Sequence, residues 1–229
     1  MSRPPCQDRA MASDAKRPSL PAEAVTYVTV SEAVSALRSS GVVAIPTDTV
    51  YGLAASAFDE RAIARVYEIK GRDFDVALPV LLADAEDMER CAVSIPDLAR
   101  GLAGRFWPGP LTIVVPKSNS MPDVLTAGMS TVGLRVPHHP VPRELSRLLG
   151  SPLTGTSANR SGMPSMRSAS AVILELGSLL DGVVDGGDLL EAEPSTVVDV
   201  MVDPPRILRS GAVSAEELAD AAGIEFSTA

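Results

Sequence analysis

Apolar residues recur at helical spacing after Ser31: Ala33, Val34 and Leu37 form one face, Ser31 is placed to cap the helix and Gly41 to close it. The next run, GVVAIPT, is continuously apolar and predicts a buried strand. Asp59 is a candidate N-cap for a helix whose face is Ile63, Val66 and Tyr67, with Gly71 as its stop signal. Lys70 closes that helix at the carboxyl end, where positive charge is favoured. ALPVLLA and LTIVVPK predict strands on either side of a helix from Pro96 to Phe106.

TVGLRVP alternates, so Thr131, Gly133 and Arg135 fall on one side of a strand and Val132, Leu134 and Val136 on the other. One polar face therefore carries a hydroxyl and a guanidinium. A helix through Leu145, Leu148 and Leu149 ends near Gly150, and SPLTGTSANRSGMPS then reads as a strand running into a small-residue loop. Ser168 to Leu180 predicts a helix. Short strands follow at GVVD, TVVDV and RILRS, and Ser214 with Glu217 has the spacing of a capping box for a last helix. Helices and strands intermix without the regular alternation of a doubly wound fold.

The 229 residues are 45% apolar and only 3% aromatic, so the core must be built from Val, Leu, Ile and Ala. Few rings are left to stack nucleobases. A net charge of −9 repels phosphate backbones on average, although cations can still converge in one cleft. Cys6 and Cys91 lack metal-binding spacing and fit a reduced cytoplasm. Residues 1–24 mix Pro, Ser, Arg and Asp without the apolar segment of a signal peptide, and no stretch reaches transmembrane length. They are expected to form a disordered leader, in which Met11 is an alternative start, before one domain over 25–229.

The common phosphate, dinucleotide, zinc-protease and calcium-loop motifs are absent. GTSAN approaches a nucleophile elbow, but Asn159 replaces the final glycine and His138 and His139 precede the serine, which argues against a serine hydrolase. VPHHP reads as a turn. Four islands remain: PTDTVYGL; KGR; TSANRSG with PSTVVD; and ILRSG. All lie at element ends, and each alone is compatible with an ordinary cap or turn. Together they offer hydroxyls, an amide and cations without an obvious nucleophile, a set suited to a polyphosphate and a small zwitterion.

In this order the islands resemble the YrdC-like threonylcarbamoyl-AMP synthase family over residues 27–220. Its KxR pair appears as Lys70 and Arg72, its SxN pair as Ser157 and Asn159, and FWPGPLT and LRVPHHP are also similar to members. The resemblance implies an α+β (mixed α/β) fold with a twisted mixed sheet flanked by helices around a concave groove. It further implies a cytoplasmic enzyme joining L-threonine, bicarbonate and ATP into threonylcarbamoyl-AMP and pyrophosphate. By the same resemblance, partner transferases would then modify adenosine 37 of tRNAs. Thr49, Arg135 and Ser195 would hold threonine; Arg72, Thr131, Ser157, Asn159, Ser165 and Arg209 would contact ATP. Lys70, Arg72 and Arg209 would act on the charge developing at phosphorus, with Mg2+ bridging the ATP phosphates.

Asp73, Val76 and Ala77 replace a proline, a Lys or Asn, and a second proline found in many members, while Leu81 stands where some carry a histidine. Two rivals remain at this point. One is a module that binds double-stranded RNA or tRNA by shape and needs no ATP. The other is a carbamoyl-adenylate module of hydrogenase maturation, whose zinc-binding cysteine pairs are missing from this sequence.

Overall fold

A computed structural model describes residues 26–190 and 193–228. The expected leader, with Cys6 and Met11, lies outside the described residues. The elements are α1 (Val30–Arg38), β1 (Val43–Ile45), β2 (Gly52–Ala54), α2 (Glu60–Lys70), β3 (Val80–Leu81), α3 (Met88–Cys91), α4 (Asp97–Phe106), β4 (Leu111–Pro116) and β5 (Thr131–Arg135). They continue as α5 (Pro140–Leu149), β6 (Leu153–Thr154), β7 (Thr156–Ser157), α6 (Ala169–Leu176), β8 (Gly182–Val183), β9 (Thr196–Asp199), β10 (Arg206–Arg209), α7 (Ala215–Ala222) and β11 (Ser227–Thr228).

Local signals account for most helix ends. Asp59 caps α2 by accepting hydrogen bonds from the Arg61 and Ala62 amides, and Gly71 ends it at φ 61°, a left-handed conformation that glycine adopts without a Cβ penalty. Ser214 and Glu217 form the anticipated capping box of α7. The cap of α1 is Thr29, not Ser31: Thr29 and Glu32 satisfy each other's backbone amides in a capping box, so the helix begins at Val30. Within VPHHP, His139 caps α5 by accepting from the Val141 amide, and Pro140 takes the first helical position, where its missing N–H is harmless.

The strands form two mixed sheets, one ordered β7-β2-β1-β8 and the other β11-β10-β9-β4-β5-β3-β6. The ALPVLLA strand shortens to Val80–Leu81, because Pro79 has no N–H and its carbonyl accepts from the Gly155 amide instead. In the larger sheet Leu81 pairs with Arg135, Ile113 with Leu134, Thr112 with Val197, and Arg209 with Val197 across an irregularity. This register lines up side chains from four strands on one face. Their reverse faces feed a core of aliphatic residues around the fully buried Tyr51 and Tyr67, as the aromatic-poor composition requires. Among the described residues no helix is long and apolar enough to cross a membrane.

Candidate functional site

A cavity of about 780 Å3 opens between the sheets, within the size range of small-molecule sites. The smaller sheet and its turns supply Thr49, Thr156 and Ser157. The larger sheet supplies Leu81, Thr112, Arg135 and Arg209, with Ser195 just before β9. Helix α2 contributes Lys70 at its end, followed by Arg72, and the loop after β7 contributes Asn159, Ser161 and Ser165. Lys70, Arg72, Arg135, Arg167 and Arg209 all line the cavity, and among the described residues no Asp or Glu does. Within an acidic chain this is a concentrated anion site.

Lys70 joins two of the sequence islands directly. Its buried ammonium donates to the Ser157 carbonyl at 2.8 Å, the Asn159 carbonyl at 3.0 Å and Asn159 Oδ1 at 3.4 Å. Ser157 Oγ donates to the same Asn159 oxygen, while Asn159 Nδ2 donates to the Arg160 and Met163 carbonyls. One cation thus shapes the whole serine-rich loop. All three ammonium donors are engaged within the protein, so Lys70 acts on a ligand through its charge and through that loop. Burial, with the Arg72 charge adding to it, lowers the Lys70 pKa to about 8.

Arg72 stacks over the Tyr67 ring, 5.2 Å from its centroid, and its NH2 donates to the Val76 carbonyl at 3.3 Å. Its Nε is buried and has no hydrogen-bond partner among the described residues. Across the cavity Arg209 donates through Nε and NH2 to the Ser195 carbonyl, and through NH2 to Ser195 Oγ at 2.9 Å. Ser195 Oγ also lies 3.0 Å from Thr112 Oγ1. Burial and then the Arg135 charge press the Arg209 pKa below the usual guanidinium range. Two cations held near each other this way favour an anion between them.

The PTDTV turn that carries Thr49 is tied by Thr47. Its hydroxyl accepts from the Thr49 and Val50 amides, donates to the Val50 carbonyl, and lies 3.1 Å from the Thr49 hydroxyl. Nine of the ten site residues read from the sequence line this one cavity: Thr49, Lys70, Arg72, Arg135, Ser157, Asn159, Ser165, Ser195 and Arg209. Thr131 does not line it, since it sits at the far end of β5, opposite Pro116. Val76, Ala77 and Leu81, three of the four departures from the family pattern, also belong to the wall, while Asp73 does not. Thr112 and Arg167 were missed because no local motif marks them. Cys91 is buried in α3 with its thiol pushed up to about 12 by desolvation, and it lies off the cavity wall.

The fold and this cavity define a mixed α/β protein with a cation-lined cavity between two sheets. The Sua5/YciO/YrdC family model, described as telomere recombination, matches residues 35–211, and the chain belongs to that family. It is 43% identical over 182 residues to the threonylcarbamoyl-AMP synthase of Pyrococcus abyssi, covering 80% of this chain and 54% of that one. The Bacillus subtilis threonylcarbamoyl-AMP synthase is 40% identical over 190 residues, covering 82% and 55% respectively. The chain spans about half the length of these curated relatives. The solved structure of P. abyssi Sua5 complexed with L-threonine superposes with a TM-score of 0.84 at 40% identity, over 90% of this chain and 61% of that one.

Proposed function

We propose that this protein condenses L-threonine, bicarbonate or CO2, and ATP into threonylcarbamoyl-AMP with release of pyrophosphate. The observation that carries the reading is the meeting, in one cavity, of the Lys70–Ser157–Asn159 network and Arg72 with the Arg135, Ser195 and Arg209 group. The relatives named above as synthases, and the one solved with threonine, support it.

In this mechanism Arg135 takes the amino-acid carboxylate, beside the hydroxyls of Thr49 and Ser195. The surrounding cations disfavour an ammonium group, so the bound amine is held in its neutral, nucleophilic form. Its nitrogen attacks CO2 and passes a proton to bicarbonate or solvent water, giving a carbamate. A carbamate oxygen then attacks the α-phosphorus of ATP, and the bond to the β-phosphate oxygen breaks as pyrophosphate leaves. No covalent enzyme intermediate is required, consistent with a wall of hydroxyls and cations. Catalysis consists of holding two anionic reactants together and stabilising charge on the phosphorus oxygens and leaving group. Arg72 and Arg209 face that charge, and Lys70 fixes the loop beside it.

Among the described residues there is no grouping of three or more His, Cys, Asp and Glu fit for a metal ion, and the wall has no carboxylate. Mg2+ would be carried by the nucleotide, with hydroxyls of Ser157, Ser161 and Ser165 on the wall as the oxygens that would hold it. When bound, the ion would offset charge on the departing pyrophosphate. The product, a reactive mixed anhydride, would pass to a transferase acting on adenosine 37 of tRNAs in the cytoplasm. Convergence of the cations on one concave cavity favours small anions over an RNA backbone, which tracks a long basic stripe. The test is pyrophosphate release by the purified protein, expected only with threonine, bicarbonate, Mg2+ and ATP together. Threonine-independent release would refute the assignment.

A further inference from the structure

We propose that Asp48 is the positioning residue of the amino-acid site, acting through Arg135. This inference rests on the function proposed above and deepens it. Arg135 is buried, and two of its five N–H groups are engaged: Nε donates to the Gly109 carbonyl at 2.9 Å and NH2 to Asp48 Oδ1 at 2.6 Å. Among the described residues the other three N–H groups have no hydrogen-bond partner and can serve a ligand. Asp48 does not itself line the cavity, whereas Thr49, the next residue, does. One turn thus sends a carboxylate behind the guanidinium and a hydroxyl in front of it.

That turn is rigid because Thr47 satisfies its amides, so Asp48 is held by backbone geometry. The pair is nearly withdrawn from water, with side-chain exposures of 8% for Arg135 and 13% for Asp48. Among the described residues it is the ion pair that links the larger sheet to the β1–β2 turn of the smaller sheet; Arg143 and Arg147 pair with Asp84, and Arg65 with Asp181. The site lies between those sheets. Asp48 therefore fixes both the rotation of the guanidinium and the spacing from Arg135 to Thr49, the two quantities a bidentate carboxylate contact needs. It also offsets one charge where Arg135 and Arg209 would otherwise repel each other at close quarters.

The experiment compares wild type, Asp48→Asn and Asp48→Ala by steady-state pyrophosphate release, varying threonine and ATP separately, with thermal melts alongside. Positioning predicts that Asp48→Ala raises the threonine KM about tenfold to hundredfold, with the ATP KM and kcat within about threefold. Asp48→Asn, which keeps the acceptor oxygen but not the charge, should recover only part of that loss, leaving a threefold to tenfold rise in threonine KM. A kcat reduced a hundredfold in Asp48→Asn at unchanged threonine KM would make Asp48 a proton acceptor in the reaction and overturn the proposal. Equal loss of both substrates' KM values together with a collapsed melting temperature would show a merely structural role and overturn it too. If Asp48→Ala does not fold, Asp48→Asn alone decides: a threefold to tenfold rise in threonine KM supports the proposal, and wild-type behaviour refutes it. Wild-type protein without threonine-dependent turnover would instead refute the function itself.

Discussion

Lys70 offers a quantitative check on how the site is built. Its ammonium pKa falls from an ordinary 10.5 to about 8 because burial strips its water, with Arg72 adding repulsion. The gap corresponds to about 3 kcal/mol at full separation of the charge states. Since the folded pKa is the lower one, the unfolded chain binds more protons between about pH 8 and pH 10.5. The contribution is therefore fully present above the unfolded value and lost as pH falls through about 8. Lys70→Met keeps the aliphatic stem and removes the titration. From pH 7 to pH 10, wild type should gain roughly 2 to 3 kcal/mol in unfolding free energy relative to Lys70→Met, groups common to both proteins cancelling. Urea unfolding at several pH values reads this difference. A difference constant to within about 0.5 kcal/mol would mean that Lys70 titrates normally and that the described burial is wrong.

The same charge should appear in ligand binding: a polyphosphate favours protonated Lys70, so ATP affinity in equilibrium dialysis should weaken above about pH 8 in wild type but lack that step in Lys70→Met. Arg72→Ala should slow turnover about a hundredfold to a thousandfold, roughly 3 to 4 kcal/mol. Its stability loss should stay near 1 kcal/mol in denaturant melts, since it surrenders only the Tyr67 stacking and one long hydrogen bond. Gly155→Ala would set its new methyl 2.9 Å from Leu81 Cγ and Cδ2 and 3.2 Å from the Pro79 carbonyl oxygen. Leu81 must then move within the cavity wall, so a loss of about 1 to 3 kcal/mol and a raised threonine KM are expected in melts and kinetics.

Features set by neighbouring residues were legible in the sequence. Asp59, Gly71, Gly150, Ser214 and Glu217 mark helix ends because caps are satisfied within a turn, and the alternation in TVGLRVP correctly puts Arg135 on the polar face. Thr29 was less visible, because the apolar spacing starts inside the helix and Val30 at its first position is a poor helix signal. The division into two sheets was not legible: several strands are two residues long, and β4 finds β9 across more than eighty residues. The candidate residues came from islands at element ends, joined by family resemblance. What the sequence could not supply was their partners. Nothing local connects Lys70 with Asn159 or Asp48 with Arg135, pairs separated by 89 and 87 residues.

The central claim is that the cations and hydroxyls facing each other across the two sheets bring an amino acid and a nucleotide into covalent union. Mass spectrometry of the reaction mixture, with isotopically labelled threonine and bicarbonate and unlabelled ATP, tests it most directly. The account predicts one new species containing the threonine label, one labelled carbon and AMP, formed in step with pyrophosphate and missing when Arg135 is replaced by alanine. AMP and pyrophosphate appearing without such a species, or its persistence in Arg135→Ala, would contradict the account.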